Sequence, residues 1–300
     1  MDMNYENYME LYEAVYFFDR IINSCVDKKT DISESIYKAV IRILVVNGLL
    51  DYDGNNFVII DGNKEKHQNI LDNIINKNQN KRYEEMFDKA INENKYFFDG
   101  ISELEYEIYS RCDFQITFGT GKEIVKHIDF TDKKVLELGG NSGGLGTAVL
   151  TNNKNCRYTV VDTKIPCMVG NEFKKLNKVN IKFIENNIFD LILSDELYDY
   201  IIIMNLLHDF DDIKCLNILR NCAKYCDSNT KFLIIEDILT GEFEPKEVIM
   251  HGLRLSVNCK GGKQRTIKEL INLFSIINCE LEKTVRLNDT HTMLIMGFMR

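Results

Sequence analysis

The chain has 300 residues, 45 % of them apolar and 28 % charged, which suits a globular protein of one large or two modest domains. A net charge of −9 argues against broad attraction to DNA, RNA or anionic lipid. No stretch approaches the roughly 20 apolar residues needed to span a bilayer.

The start, residues 1–13, is acidic and lacks a basic segment followed by an apolar one, so a secretory signal is not expected and the chain is expected in the cytoplasm. Residues 9–25 carry Leu11, Ala14, Val15, Phe18, Ile21 and Ile22 at helical spacing. Residues 33–50 predict a second amphipathic helix that closes at Asn47-Gly48. Two short strands then flank Asp53-Gly54-Asn55-Asn56, a hairpin turn signal. A helix followed by a small hairpin is a winged-helix pattern. Its helix offers only Lys38 and Arg42 as cations, so DNA binding is disfavoured. Residues 63–82 are polar and rich in Asn and Lys, and helices are expected over 83–93, 100–111 and 119–128.

From residue 134 the pattern changes to strands alternating with helices. Candidate strands are 134–138, 157–162, 181–186, 200–205, 231–237, 280–287 and 292–298, with helices between the first five. Runs such as Ile201-Ile202-Ile203 and Leu233-Ile234-Ile235 are apolar on both faces, as parallel strands covered by helices must be. The last two strands are joined by a short turn at Asn288-Asp289, so one of them must run antiparallel. The expectation is an α/β fold with a Rossmann-like, seven-stranded, mostly parallel sheet over 99–300, preceded by a helical, winged-helix-like domain over 1–98. The nine cysteines include no CxxC. Cys222 and Cys226 share a helical face, but no histidine or second pair is placed to complete a tetrahedral site, so no metal is expected.

The chemistry begins at Val135-Leu-Glu-Leu-Gly-Gly-Asn-Ser-Gly-Gly-Leu-Gly146, a strand that enters a glycine-rich turn and then a helix. Ligands of open α/β sheets bind outside the carboxyl ends of the strands. Gly139-Gly140-Asn141 breaks the dinucleotide fingerprint at its second glycine, which disfavours a nicotinamide enzyme. Glu137 beside the turn suits a ligand bearing an ammonium or sulfonium rather than a pyrophosphate. Asp162 ends the next strand, where an acid can accept two ribose hydroxyls. His208, in Met204-Asn-Leu-Leu-His-Asp-Phe-Asp-Asp212, lies just past the carboxyl end of the fourth strand. Glu236 holds the corresponding place on the fifth. A histidine and a carboxylate there form an acid/base constellation.

From about residue 134 onward these motifs resemble the family of small-molecule O-methyltransferases that includes the plant caffeate-type and bacterial polyketide enzymes. Leu-Glu-Leu-Gly-Gly-Asn-Ser-Gly-Gly, Val-Val-Asp162, Leu-Leu-His208-Asp-Phe-Asp-Asp and Gly261-Gly-Lys-Gln-Arg-Thr266 occur in the family's order. The resemblance implies S-adenosylmethionine as cofactor and a small-molecule acceptor, most simply a phenolic or enolic hydroxyl. It implies that Glu137, Gly139 and Gly140 meet the cofactor's methionyl end and Asp162 its ribose. Asn187 and Ile188 would flank the adenine, with Met204 and Asn205 beside them. His208 matches the general base, Glu236 the acid that orients it and Asp209 its neighbour. Phe98, Met250, Arg254 and Asn258 are candidate acceptor contacts. The family also implies a homodimer built through residues 1–98.

Three positions depart from the family. Asn187 replaces the usual Asp, Met204 stands where plant members often have Lys, and Gly297 is read as standing where they carry a second glutamate near the histidine. The alternatives are a C- or N-methyltransferase or a non-methylating enzyme of the same fold, and a winged-helix regulator that senses a metabolite.

Overall fold

Seven segments rich in β-branched and large aliphatic residues build the central sheet. In a computed structural model of the chain, the described residues are Ala14, 34–52, 57–59, 89–90, 93, 95–194 and 196–299. They fall into two units. The first takes the described residues up to Gly100 together with His208–Asp211 and Ile238–Ile267; the second takes Ile101–Leu207, Asp212–Asp237 and Lys268–Arg300.

In the first unit the helix Glu34–Val46 buries Ile36, Val40, Ile43 and Leu44 on one stripe. It ends where predicted. Gly48 adopts φ +69°, and the amides of Gly48 and Leu49 donate to the carbonyls of Val45 and Leu44. Strands β1 (Leu50–Tyr52) and β2 (Phe57–Ile59) then pair antiparallel. The predicted helix over 9–25, apart from Ala14, and the turn at 53–56 lie outside the described residues, as does most of the one over 83–93. The helix Glu34–Val46 shares its core with Leu239 and with two short helices, Lys246–Ile249 and Gly252–Asn258, through Val248, Ile249, Leu253 and Val257.

In the second unit β3 (Lys134–Leu138), β4 (Arg157–Asp162), β5 (Ile181–Glu185), β6 (Tyr200–Met204), β7 (Lys231–Asp237), β8 (Cys279–Arg286) and β9 (His291–Phe298) form one sheet in the order β5-β4-β3-β6-β7-β9-β8. The first five strands run parallel, and β9 runs antiparallel to both β7 and β8. Ile201–Ile203 and Leu233–Ile235 are fully buried, which is why those runs carry no polar face. The chain order turns back beside β3, so the carboxyl ends of β3 and β6 flank a crevice where open α/β sheets bind ligands. Among the described residues no helix is long and apolar enough to cross a membrane.

Two helical expectations are corrected. The helices expected over 100–111 and 119–128 are one helix, Glu103–Ile124, opened by a capping box between Ser102 and Glu105. One glycine of this helix serves close packing. A Cβ at Gly121 would stand 2.7 Å from Ala148 Cβ and 3.0 Å from the Leu145 carbonyl oxygen, on the helix Gly144–Asn152. Between β5 and β6 no α-helix forms. A short 3-10 turn, Ile188–Asp190, stands there, and side chains replace helical bonds: Asn186 Nδ2 donates to the Ile192 carbonyl, while the Tyr225 hydroxyl bridges Leu191 and Leu193.

Candidate functional site

The glycine turn is built by close approach. Gly139 has φ +63°, and a Cβ there would stand 2.7 Å from a Leu206 methyl, so the residues leaving β3 and β6 touch. A Cβ on Gly140 would meet the Glu137 carboxyl carbon at 2.6 Å. Glu137 therefore lies directly beneath the turn, 2 % exposed, with the Tyr158 hydroxyl donating to its Oε2 at 3.0 Å. Asp162, at the end of β4, accepts from the Asn141 amide at 2.8 Å and from the Thr163 amide at 2.7 Å.

One acid in this place escaped the sequence reading. Asp113, on the Glu103–Ile124 helix, accepts from Asn141 Nδ2 at 3.0 Å across 28 residues of chain. A turn earlier, the Ser110 carbonyl takes the Ser142 hydroxyl at 2.7 Å. The available signal was an acid beside the buried stripe of Ser110, Phe114, Thr120, Gly121 and Ile124.

Burial pushes Glu137 up to about 8; the Tyr158 hydrogen bond opposes this, and the nearby Asp162 and Asp113 carboxylates add to it. Burial likewise raises Asp113 to about 6, against the Asn141 hydrogen bond and with help from Asp162. Asp162 is also raised by burial, against its hydrogen bonds from Thr163 and Asn141. No lysine or arginine is among the groups that shift these three acids. The Asn141 Oδ1 and Ser110 Oγ atoms are buried with no hydrogen-bond partner among the described residues. An acceptor-rich, acidic cluster of this kind fits the cationic end of a ligand.

The other expected cofactor positions also lie at the carboxyl side of the sheet. Asn187, exposed, uses its Oδ1 to cap the turn at Ile188, accepting from the Phe189 amide at 2.9 Å. Ile188 is half-buried. Met204 is 5 % exposed and packs in the core. Asn205 has φ +48°, and its side-chain amide lies 3.0–3.1 Å from His291 Nε2. Glu236 is 4 % exposed, and its Oε1 accepts from the Leu206 and Leu207 amides at 3.1 and 2.9 Å. Glu236 thus fixes the backbone of the two residues that precede His208.

His208 and Asp209 belong to the first unit. His208 Nε2 lies 3.7 Å from Asp209 Oδ1. The Gly261-Gly-Lys-Gln-Arg-Thr stretch clamps this loop. Lys263 N–H donates to the His208 carbonyl at 2.8 Å, and the Arg265 guanidinium to the Phe210 carbonyl at 2.6 Å. Gly262 is required because a Cβ would stand 2.5 Å from the Leu255 carbonyl oxygen. Gln264 Nε2 donates to the Val248 carbonyl. Of the acceptor candidates, Phe98, Arg254 and Asn258 are half-buried, whereas Met250 is 1 % exposed and takes Asn47 Nδ2 on its Sδ at 3.2 Å.

Gly297 does not mark a missing acid. The register pairs Gly297 with Lys231, at the amino end of β7, while Glu236 pairs with Thr292. Five residues of β9 separate the two positions, about 17 Å at 3.4 Å per residue. A side chain at 297 would point among Lys231 and Glu282, at the opposite end of the sheet from the glycine turn.

A family model described as an O-methyltransferase domain matches residues 67–277. The chain belongs to the O-methyltransferase family. Among curated members, a phenazine O-methyltransferase of Lysobacter antibioticus is 29 % identical over 186 residues, which are 59 % of this chain and 52 % of that protein. An acetylserotonin O-methyltransferase of Gallus gallus is 26 % identical over 175 residues, 56 % of this chain and 50 % of its own. The first matches span between 29 % and 52 % of the curated relatives' lengths. The fold is shared more widely. An O-methyltransferase family 2 protein from Planctomyces limnophilus, solved with apigenin, superposes with a TM-score of 0.76 at 13 % identity, over 98 % of this chain and 93 % of that one.

Proposed function

We propose that this O-methyltransferase family member transfers a methyl group from S-adenosylmethionine to a hydroxyl of a small aromatic or enolic acceptor. The observation that carries the cofactor reading is the buried acidic cluster of Glu137, Asp162 and Asn141 under a glycine turn at the carboxyl end of the sheet. Glu137 and the turn at Gly139-Gly140 would hold the methionyl end, Asp162 the ribose, and Asn187, Ile188, Met204 and Asn205 the adenine side. When bound, the cofactor supplies an electrophilic methyl on a sulfonium.

The protein's remaining work is proton removal and positioning. A phenol ionises near 10 and free histidine near 6.5, so unassisted transfer is uphill by roughly 3–4 units. His208 acts as the base, and the Asp209 carboxylate beside Nε2 favours the imidazolium that forms. Glu236 acts as a positioning residue through the Leu206 and Leu207 amides. We further propose that residues 1–98 form a dimerisation domain of a homodimer, that 99–300 carry the methyltransferase domain and that the protein works in the cytoplasm.

The test is transfer of a labelled methyl from S-adenosylmethionine to a panel of hydroxylated aromatics, including apigenin, hydroxyphenazines and N-acetylserotonin, with wild type and His208→Ala. The variant is expected to lose about 10²–10⁴-fold in kcat while binding S-adenosylhomocysteine as before. Full kcat across pH in His208→Ala would remove the base role. Wild type that binds neither form of the cofactor in calorimetry would remove the whole reading.

A further inference from the structure

The carboxylate cluster holds more acids than binding a zwitterionic amino-acid end requires. Asp113 arrives from the helix before the sheet, Glu137 from β3 and Asp162 from β4, and Asn141 joins two of them through its side-chain and main-chain nitrogens. The Oδ1 of the same Asn141 amide is buried without a partner among the described residues, and Asn141 is 8 % exposed. That orphaned acceptor is attached to the group that touches Asp113, so its unmet partner is a donor at the cluster. A ligand ammonium is such a donor.

We infer that Asp113 is a further cofactor-binding residue, and that Asp113 and Glu137, beside the ribose-binding Asp162, together accept the methionyl ammonium in exchange for a proton. This rests on the cofactor reading above. The groups around the cluster support the exchange. Tyr158 on β4 donates to Glu137, and Cys167 on the helix Lys164–Leu176 donates to the Asp162 carbonyl at 3.5 Å. Glu185, at the end of β5, acts on Cys167. Arg111 turns to Glu107 and Glu172, and Lys164 to Glu103. The Gly144–Asn152 helix has no titratable side chain. Among the described residues no lysine or arginine is among the groups that shift these three acids, so the site holds a proton near neutral pH, chiefly on Glu137, which burial pushes up to about 8. An arriving ammonium lowers the carboxyl's pKa, the O–H bond breaks, and the proton leaves to solvent.

Calorimetry with S-adenosylhomocysteine, in buffers of different ionisation enthalpy, counts that proton. 5′-Methylthioadenosine serves as a control because it keeps the nucleoside and thioether but lacks the ammonium. Close to one proton is expected to leave at pH 7 with S-adenosylhomocysteine, and its affinity should fall by up to about tenfold from pH 7 to pH 6. Methylthioadenosine should release none. Asp113→Asn should weaken S-adenosylhomocysteine at least tenfold and reduce the proton count, and Asp113→Glu should restore the count. A loss of packing alone would not change the number of protons released.

Release of no proton by wild type overturns the inference while leaving the cofactor reading intact, as does an equal release with methylthioadenosine. An Asp113→Asn variant with wild-type affinity and proton count does the same. Failure of wild type to bind S-adenosylhomocysteine at all overturns both.

Discussion

Replacing Gly144 by alanine should part the helix that carries Asp113 from the glycine turn. A Cβ at 144 falls on the Phe114 carbonyl oxygen and Thr117 Oγ1 and lies 2.9 Å from the Phe118 nitrogen. Ordinary Cβ contacts begin near 3.4 Å, and two of these obstacles are main-chain atoms, so the Glu103–Ile124 helix itself has to move. Overpacking of this kind costs about 1–3 kcal/mol, and its backbone nature places it high in that range. Gain of an alanine in a helix offsets up to about 1 kcal/mol. The net expectation is a loss of about 2 kcal/mol, or about 4–8 °C in Tm for a domain of this size.

Gly119→Ala is the matched control. It lies on the facing Glu103–Ile124 helix, and a Cβ there meets nothing within 4 Å. It should stabilise by about 0.5–1 kcal/mol. Urea unfolding of the two variants, followed by S-adenosylhomocysteine titration, tests the reasoning. Gly144→Ala should also bind more weakly, because Asp113 and Ser110 reach Asn141 and Ser142 across the same contact. A Gly144→Ala variant as stable as wild type, or equal shifts in both variants, would refute the close-packing account.

Gly297→Glu should leave kcat/KM for any accepted substrate within about twofold of wild type, because position 297 faces Lys231 and Glu282 rather than the glycine turn; a gain or loss of tenfold would reinstate the expectation of a missing acid. Gln264→Glu should destabilise by about 1–3 kcal/mol in chemical unfolding, since a carboxylate cannot donate to the Val248 carbonyl; neutrality would show that bond to be dispensable. Folding raises the Glu137 carboxyl from 4.5 to about 8, so the folded state binds the extra proton, and stability of the ligand-free protein should fall as pH rises through that window. Thermal unfolding from pH 5 to 8 measures this slope, and a rising Tm would contradict the sign.

Much of the second unit was legible because its signals are local. Ile201–Ile203 and Leu233–Ile235 could only be strands covered on both sides, and the short link at Asn288-Asp289 forced the antiparallel β9. The glycine turn, Asp162, His208 and Glu236 could be singled out as candidates for the same reason: each sits at or just past a strand end that its own neighbours define. What the residue order could not supply was long-range register and approach. Gly297 looked like a vacated acid until pairing with Lys231 placed it at the far end of β9. The two helices expected over 100–111 and 119–128 became one, packed through Gly121 against Ala148. Asp113 joins the acidic cluster through its bond to Asn141, across 28 residues of chain. The Gly261–Thr266 motif declared a family by its letters, but its work is mechanical: Lys263 and Arg265 hold the carbonyls of His208 and Phe210. Periodicity and turn chemistry are written in neighbouring residues, and so the sequence determined the strands and the site's local parts. Which distant groups share a buried pocket depends on packing, and that only the tertiary structure decided.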